Sequence, residues 1–105
     1  MKKYEVFISE RAFRDMDCIY RYIADTLQAP NAAASQYDRI ADAILTLETM
    51  PMRVKIMDSA PEKKKRLRAM IIDNYSVIFT VRNGAVYVSR VLYSSSDISN
   101  RLTGQ

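Results

Sequence analysis

The sequence predicts an α+β fold: an N-terminal strand, an antiparallel helical hairpin, then a three-stranded antiparallel meander, with the helices on one sheet face. Three observations predict it. Between Ala12 and Leu47 apolar residues recur at spacings of three and four, the stripe of a helix that buries one side. From Arg66 that period gives way to runs rich in β-branched and aromatic residues, which suit strands. Between two such runs sits Asn83-Gly84, the strongest short-range signal of a hairpin, because both positions of its tight turn need positive φ.

The elements follow in order. Tyr4, Val6 and Ile8 alternate with Glu5 and Phe7, a short strand with an apolar residue on its second side as well. Ser9 is placed to cap the next helix with its hydroxyl. Ala12, Met16, Ile19, Ile23 and Leu27 form that helix's stripe, and Phe13 and Tyr20 widen it. Gln28-Ala29-Pro30-Asn31 breaks the pattern, with Asn31 as the expected cap of a second helix. Tyr37, Ile40, Ile44 and Leu47 make the second stripe, with Ala33 and Ala41 as small packing residues. Pro51 ends it, since proline cannot continue the hydrogen-bond ladder. The short link makes the pair an antiparallel hairpin. Residues 52–62 read as loop with an extended piece at Val54–Ile56, and Arg66–Ile72, Tyr75–Arg82 and Ala85–Tyr93 read as strands. Asp73-Asn74 is the first turn of the meander, as both residues tolerate left-handed backbone. In the tail, Asp97 is expected to cap a last turn in which Ile98 and Leu102 touch the core.

Composition narrows the function. The 105 residues are 49% hydrophobic and 27% charged, an ordinary globular balance consistent with residues 1–105 forming one domain. No apolar run reaches the ~18 residues of a membrane span, and Met1-Lys2-Lys3-Tyr4-Glu5 does not read as a signal peptide. Cys18 stands alone, so no intrachain disulfide forms, and its helical position makes it a small, partly buried side chain. Histidine is absent. That removes imidazole metal sites and histidine-based acid–base and nucleophilic catalysis. No metal site and no cofactor is expected.

The net charge is +4, concentrated in one block. Arg53, Lys55, Lys63, Lys64, Lys65, Arg66 and Arg68 face only Asp58 and Glu62 between positions 52 and 68. Such a block suits a polyanion or an acidic protein partner, or is simply a solvated loop.

A two-residue turn at Asn83-Gly84 pairs Val81 with Val86, Phe79 with Val88, Val77 with Arg90 and Tyr75 with Leu92 on the helix side. Thr80 with Tyr87, Ile78 with Ser89 and Ser76 with Val91 then lie on the other. A two-residue turn at Asp73-Asn74 pairs Ile72 with Tyr75, Met70 with Val77 and Arg68 with Phe79. Arg68 and Arg90 therefore point to the helix side. An unpaired buried guanidinium is costly, so each needs a carboxylate such as Asp15 or Asp17, the rim of the sheet, or a one-residue bulge that turns it outward. The outward face offers hydroxyls and methyls, with Tyr87 and Tyr93 its most chemically capable groups. Most aromatic residues alternate inward, which argues against a generic RNA-stacking platform.

The order of elements and several strings together resemble the RelE/ParE superfamily of bacterial type II toxins. The strings are Tyr4-Glu5-Val6-Phe7-Ile8-Ser9-Glu10-Arg11-Ala12 followed by Asp15, Ile19-Tyr20-Arg21-Tyr22-Ile23, Leu47-Glu48-Thr49-Met50-Pro51, Arg68 with Asn74-Tyr75-Ser76-Val77-Ile78-Phe79, and Arg90-Val91-Leu92-Tyr93-Ser94-Ser95-Ser96-Asp97. Arg90-Val91-Leu92-Tyr93 is closer to the ParE branch. The resemblance implies a cytoplasmic toxin neutralised by a cognate antitoxin in a hetero-oligomer. The antitoxin's acidic and apolar segment is expected over Lys63, Lys64, Lys65, Arg66 and Arg68 and the adjoining sheet edge, with Arg90 also assigned to target or antitoxin binding. The ParE branch implies DNA gyrase as a target poisoned by binding. The RelE branch implies cleavage of messenger RNA on the ribosome, with Arg66, Arg68 and Tyr93 as its catalytic groups here. Where nuclease members carry basic or histidine chemistry, this chain has Ser76 and Ser94-Ser95-Ser96, and nothing obvious serves as the base that 2′-hydroxyl attack requires.

Overall fold

The computed structural model describes residues 3–58 and 65–94. Strand β1 (Glu5–Ile8) leads into helix α1 (Glu10–Arg21), a π-helical turn over Tyr22–Thr26, and helix α2 (Pro30–Leu45). Single 3₁₀ turns at Thr46–Glu48 and Pro51–Arg53 carry the chain to the meander of β2 (Arg68–Ile72), β3 (Tyr75–Arg82) and β4 (Ala85–Tyr93). The sheet is open, in the order β1-β4-β3-β2. β1 runs parallel to β4 at one edge, and the meander is antiparallel. This is the predicted α+β architecture.

Local chemistry explains most boundaries. The Ser9 hydroxyl accepts the Ala12 N–H and donates to the Ser89 carbonyl, so one side chain caps α1 and ties it to β4. The stripe expected to run to Leu27 stops early. At Tyr22 the helix widens, and the Leu27 N–H donates to the Tyr22 carbonyl five residues back, a π-type bond that shifts the facing of later residues. Ile19 still packs on the core, while Leu27 is 56% exposed. Phe13 does not widen the buried stripe, being 49% exposed, whereas Tyr20 meets Tyr37 edge-to-face. Helix α2 begins at Pro30 with Ala29 as its cap, two residues earlier than the expected Asn31 cap, because proline fits the first helical position, where an N–H has no acceptor. Cys18 is exposed, not partly buried as expected.

Ala12 and Met16 of α1, Ile40 and Ile44 of α2, and Leu47 form one core with Met70, Val77, Phe79, Val86, Val88 and Val91 of the sheet. Asp73 and Asn83 take positive φ in the two hairpin turns, and Gly84 follows at +79°, as the Asn-Gly pair predicts. The β2–β3 register is the expected one: Arg68 with Phe79, Met70 with Val77, Ile72 with Tyr75. The β3–β4 register is as expected from Arg82–Ala85 to Phe79–Val88, then slips at Ile78/Phe79. Ser89 is the extra residue. Beyond it Ile78 pairs with Arg90, Val77 with Val91, Ser76 with Leu92 and Tyr75 with Tyr93, correcting four expected pairings. Each slips by one residue, the signature of a β-bulge. Val91 consequently joins the core, and Ser76 and Ile78 are fully buried, so the middle of the outward face is not open.

The strand expected from Arg66 starts at Arg68, since Lys65 and Arg66 form a turn with Arg66 at φ +59°. The extended piece near Val54–Ile56 is present as a bridge from Ile56 to Arg68. The expected terminal turn of Asp97, Ile98 and Leu102 lies outside the described residues.

Candidate functional site

A groove of about 1050 Å³ lies between α1 with its π-helical turn and the ends of β3 and β4. Ile19, Ile23, Leu27, Val91 and Leu92 give it an apolar lining, and Tyr22, Tyr75 and Tyr93 line it too. Arg11, Arg14, Gln36 and Asn74 add polar groups. The π-helical turn builds this shape. It turns Leu27 and Tyr22 away from the core, leaving them 56% and 55% exposed.

Under the groove lies a buried ion pair. The Asp15 carboxylate accepts from Arg90 Nε at 2.8 Å and from Arg90 Nη2 at 3.2 Å. It also accepts the Val91 backbone N–H at 3.0 Å. β1 ends opposite Val88, so beyond that point β4 lacks a strand neighbour on this side, and Asp15 supplies the acceptor that β1 would have supplied. Arg11 approaches the same carboxylate at 3.7 Å. Arg14 makes no ion pair among the described residues, so it leaves the groove with uncompensated positive charge. Of the sequence alternatives for Arg90, the ion pair with Asp15 is the one realised: a bulge precedes Arg90, yet the side chain stays buried and does not turn out to solvent.

Arg68 behaves differently. Its guanidinium donates to the backbone carbonyls of Val54 and Met52 and clamps the 52–56 segment against the start of β2. Tyr93 meets Tyr75 edge-to-face at 5.7 Å. Burial, with help from Tyr93 and Tyr22, raises the Tyr75 pKa above the usual phenol value. Lys65 and Arg66 are exposed in the turn before β2. Lys63 and Lys64 lie outside the described residues.

The structure thus does not bring Arg66, Arg68 and Tyr93 around one point. Arg68 pairs with Phe79 and Tyr93 with Tyr75, so their backbones stand roughly 13 Å apart along β3 and roughly 10 Å apart across the sheet, from the usual strand rise and spacing. Arg66 and Arg68, two residues apart, also do different things: one is free in solvent and the other is bonded to backbone.

Next to the groove mouth, the turn residue Asp73 accepts from Gln36 and Arg39 of α2. These contacts, the Gln36 hydrogen bond first, lower its pKa below the ordinary carboxylate value. Leading to this turn is the outer edge of β2, which pairs with Ile56 only at Arg68 and has no other strand beside it among the described residues. Ile71 on β2 is 60% exposed.

Sequence reasoning missed Arg14, Leu27 and Tyr22 as groove residues. The reason is that the π-helical turn, which sets the facing of these residues, was not readable from the α-period of the sequence. Also missed was a second exposed feature, on the opposite sheet face: Phe7 and Tyr87 stack at 5.4 Å and 14°, with Arg82 over the Tyr87 ring at 5.0 Å. The expectation that aromatic residues mostly turn inward fails here.

A two-helix hairpin backing an open sheet, with a basic apolar groove on the helix side, defines a small α+β domain. Residues 6–98 match the model of the ParE toxin of type II toxin–antitoxin systems, parDE. The chain belongs to this family and is of the type II toxin class. Among solved structures it is similar to one described as the chromosomal ParDE toxin–antitoxin system from P. aeruginosa, with a TM-score of 0.73, 16% identity, and coverage of 87% of this chain and 96% of that one. At that identity the likeness is one of fold. A sequence comparison with curated proteins finds no match. No helix among the described residues is long and apolar enough to cross a membrane.

Proposed function

We propose that this chain is a cytoplasmic toxin held inactive by a cognate antitoxin, and that once released it arrests growth by binding DNA gyrase. The observation that carries the reading is the family match over residues 6–98. Within that family reading, an acidic and apolar antitoxin segment passes along the Lys65–Arg68 end and open edge of β2, crosses the Asp73-Asn74 turn, and enters the groove. Strand addition suits the unpaired edge. The apolar lining suits buried side chains, and the uncompensated Arg14 suits a carboxylate. The toxin and antitoxin form a hetero-oligomer.

Action by binding is supported by what the nuclease alternative lacks. Cleavage by 2′-hydroxyl attack needs a base, an acid and charge stabilisation around one phosphate. Arg68 and Tyr93 stand at different ends of the sheet and Arg66 in the turn before β2, and Arg68 is committed to the Met52 and Val54 carbonyls.

Induced expression tests the reading. Growth arrest should follow, should be relieved by co-expressing the product of the neighbouring reading frame, and should coincide with relaxed plasmid DNA. Arrest with normal supercoiling and codon-associated cuts in ribosome-bound messenger RNA would replace gyrase binding with the nuclease reading. No arrest at all would remove the toxin activity.

A further inference from the structure

The exposed ladder of Phe7, Tyr87 and Arg82 plays no part in the groove, and none of its members belongs to the core cluster. Phe7 of β1 and Tyr87 of β4 are register partners and remain 45% and 37% exposed. Thr80 is Tyr87's partner on β3. With Arg82, Lys65 and Arg66 it lines a small pocket of about 370 Å³. No acid lines this pocket, and none of the three cations makes an ion pair among the described residues. The basic residues thus converge from two chain segments, the turn before β2 and the end of β3. Arg66 is held there in left-handed backbone at φ +59°, a conformation unfavourable for a side chain larger than glycine. Three like charges without a counter-charge repel one another, and an anion relieves the repulsion.

We propose that this face is a binding site for single-stranded nucleic acid. One phosphate sits among Lys65, Arg66 and Arg82, with the Thr80 hydroxyl as a further donor, and the adjoining base packs on the Phe7–Tyr87 stack. Exposed rings beside unpaired cations are the pairing that sequence-tolerant single-strand binders use, because every base has a π-face and every nucleotide a phosphate. A duplex is disfavoured, since its bases are already stacked and this face offers no helix or protruding ribbon to a major groove. The site lies on the sheet face opposite the core helices and does not rest on gyrase being the target.

The test is fluorescence anisotropy with the full chain and labelled probes of about 12 nucleotides, the scale of single-strand binding sites. The probes are oligo-dT, oligo-U, the corresponding duplex, and a poly-glutamate peptide as the acidic-protein competitor. Both single strands should bind, and binding should weaken with salt with a slope of about −0.7, from the one phosphate that the three cations share. Arg82→Gln and Tyr87→Leu should each weaken binding about fivefold or more, with unchanged circular dichroism and melting temperature. The Leu27→Glu groove variant should bind as the parent does. A preference between oligo-dT and oligo-U identifies which nucleic acid the site takes. The proposal fails if neither single strand binds, if the duplex binds as tightly, if poly-glutamate displaces the oligonucleotide at equal charge, or if Arg82→Gln and Tyr87→Leu leave binding unchanged. Failure on these arms leaves growth arrest and gyrase inhibition untouched, so the two readings are separable.

Discussion

Replacing Asp15 removes three hydrogen bonds and one charge from the junction of α1 and β4. The Asp15 and Arg90 side chains are only 12% and 11% exposed. Deleting one partner of a buried ion pair costs about 3–5 kcal/mol, because the other charge stays behind without compensation. An orphaned N–H such as that of Val91 adds about 1–3 kcal/mol. The residual exposure lets water reach the guanidinium, so the low end applies: Asp15→Ala should cost about 3 kcal/mol. Asp15→Asn keeps the shape and one acceptor oxygen and should cost about 2 kcal/mol. The double replacement Asp15→Leu with Arg90→Met removes both charges and should cost about 1–2 kcal/mol, less than Asp15→Leu alone. Urea unfolding measures this, read as a shift in midpoint at constant slope. In a chain of this size the Asp15→Ala loss lowers the melting temperature by roughly 12–20 °C. The reasoning is refuted if Asp15→Ala and Asp15→Asn stay within about 0.5 kcal/mol of the parent, or if the double replacement costs the sum of the singles.

Other perturbations follow from the same geometry. Arg68→Ala should destabilise by about 1–2 kcal/mol by releasing the Met52 and Val54 carbonyls, whereas Arg66→Gly should stabilise by up to about 1 kcal/mol by relieving left-handed backbone; opposite shifts in melting temperature check the pair. Asp73 has a lowered folded pKa, so its contribution is complete above the ordinary carboxylate value and disappears as pH falls through it towards the folded value. The stability gap between the parent and Asp73→Asn should therefore be constant from pH 7 to 5 and close below about pH 4, measured by thermal melts across that range. Leu27→Glu should leave stability within about 0.5 kcal/mol, since the residue is exposed, yet weaken antitoxin binding at least about tenfold by placing a carboxylate in the apolar groove; calorimetric titration decides.

The fold was legible because local signals and global pattern agree. Stripes at Ala12–Met16–Ile19 and Ile40–Ile44–Leu47 could bury only one way, and Asn83-Gly84 fixed the hairpin register from Arg82–Ala85 as far as Phe79–Val88. The register was lost at Ser89 because a bulge is decided by what surrounds the strand. Here the Ser9 cap and the Asp15 carboxylate hold β4 where β1 ends, and both contacts span more than seventy residues of chain. The π-helical turn escaped for a related reason: Ile23 and Leu27 continue the α-period in sequence, while the bond to Tyr22 breaks it in space. The candidate site was legible as a basic region but not as a surface. Arg66, Arg68 and Arg90 look alike in one dimension, yet one is free, one clamps backbone and one is neutralised by Asp15. Phe7 and Tyr87 were each on the outer side of their strands. Their stacking needed the parallel β1–β4 pairing, which no local turn announces.

The functional account stands or falls on which target the purified chain disables. Gyrase supercoiling assays and primer extension on translating ribosomes, run side by side over the same protein concentrations, read this out directly. The account predicts loss of negative supercoiling with trapped cleaved DNA, reversed by the antitoxin, and intact messenger RNA. Codon-associated cuts in messenger RNA with supercoiling unaffected would contradict it.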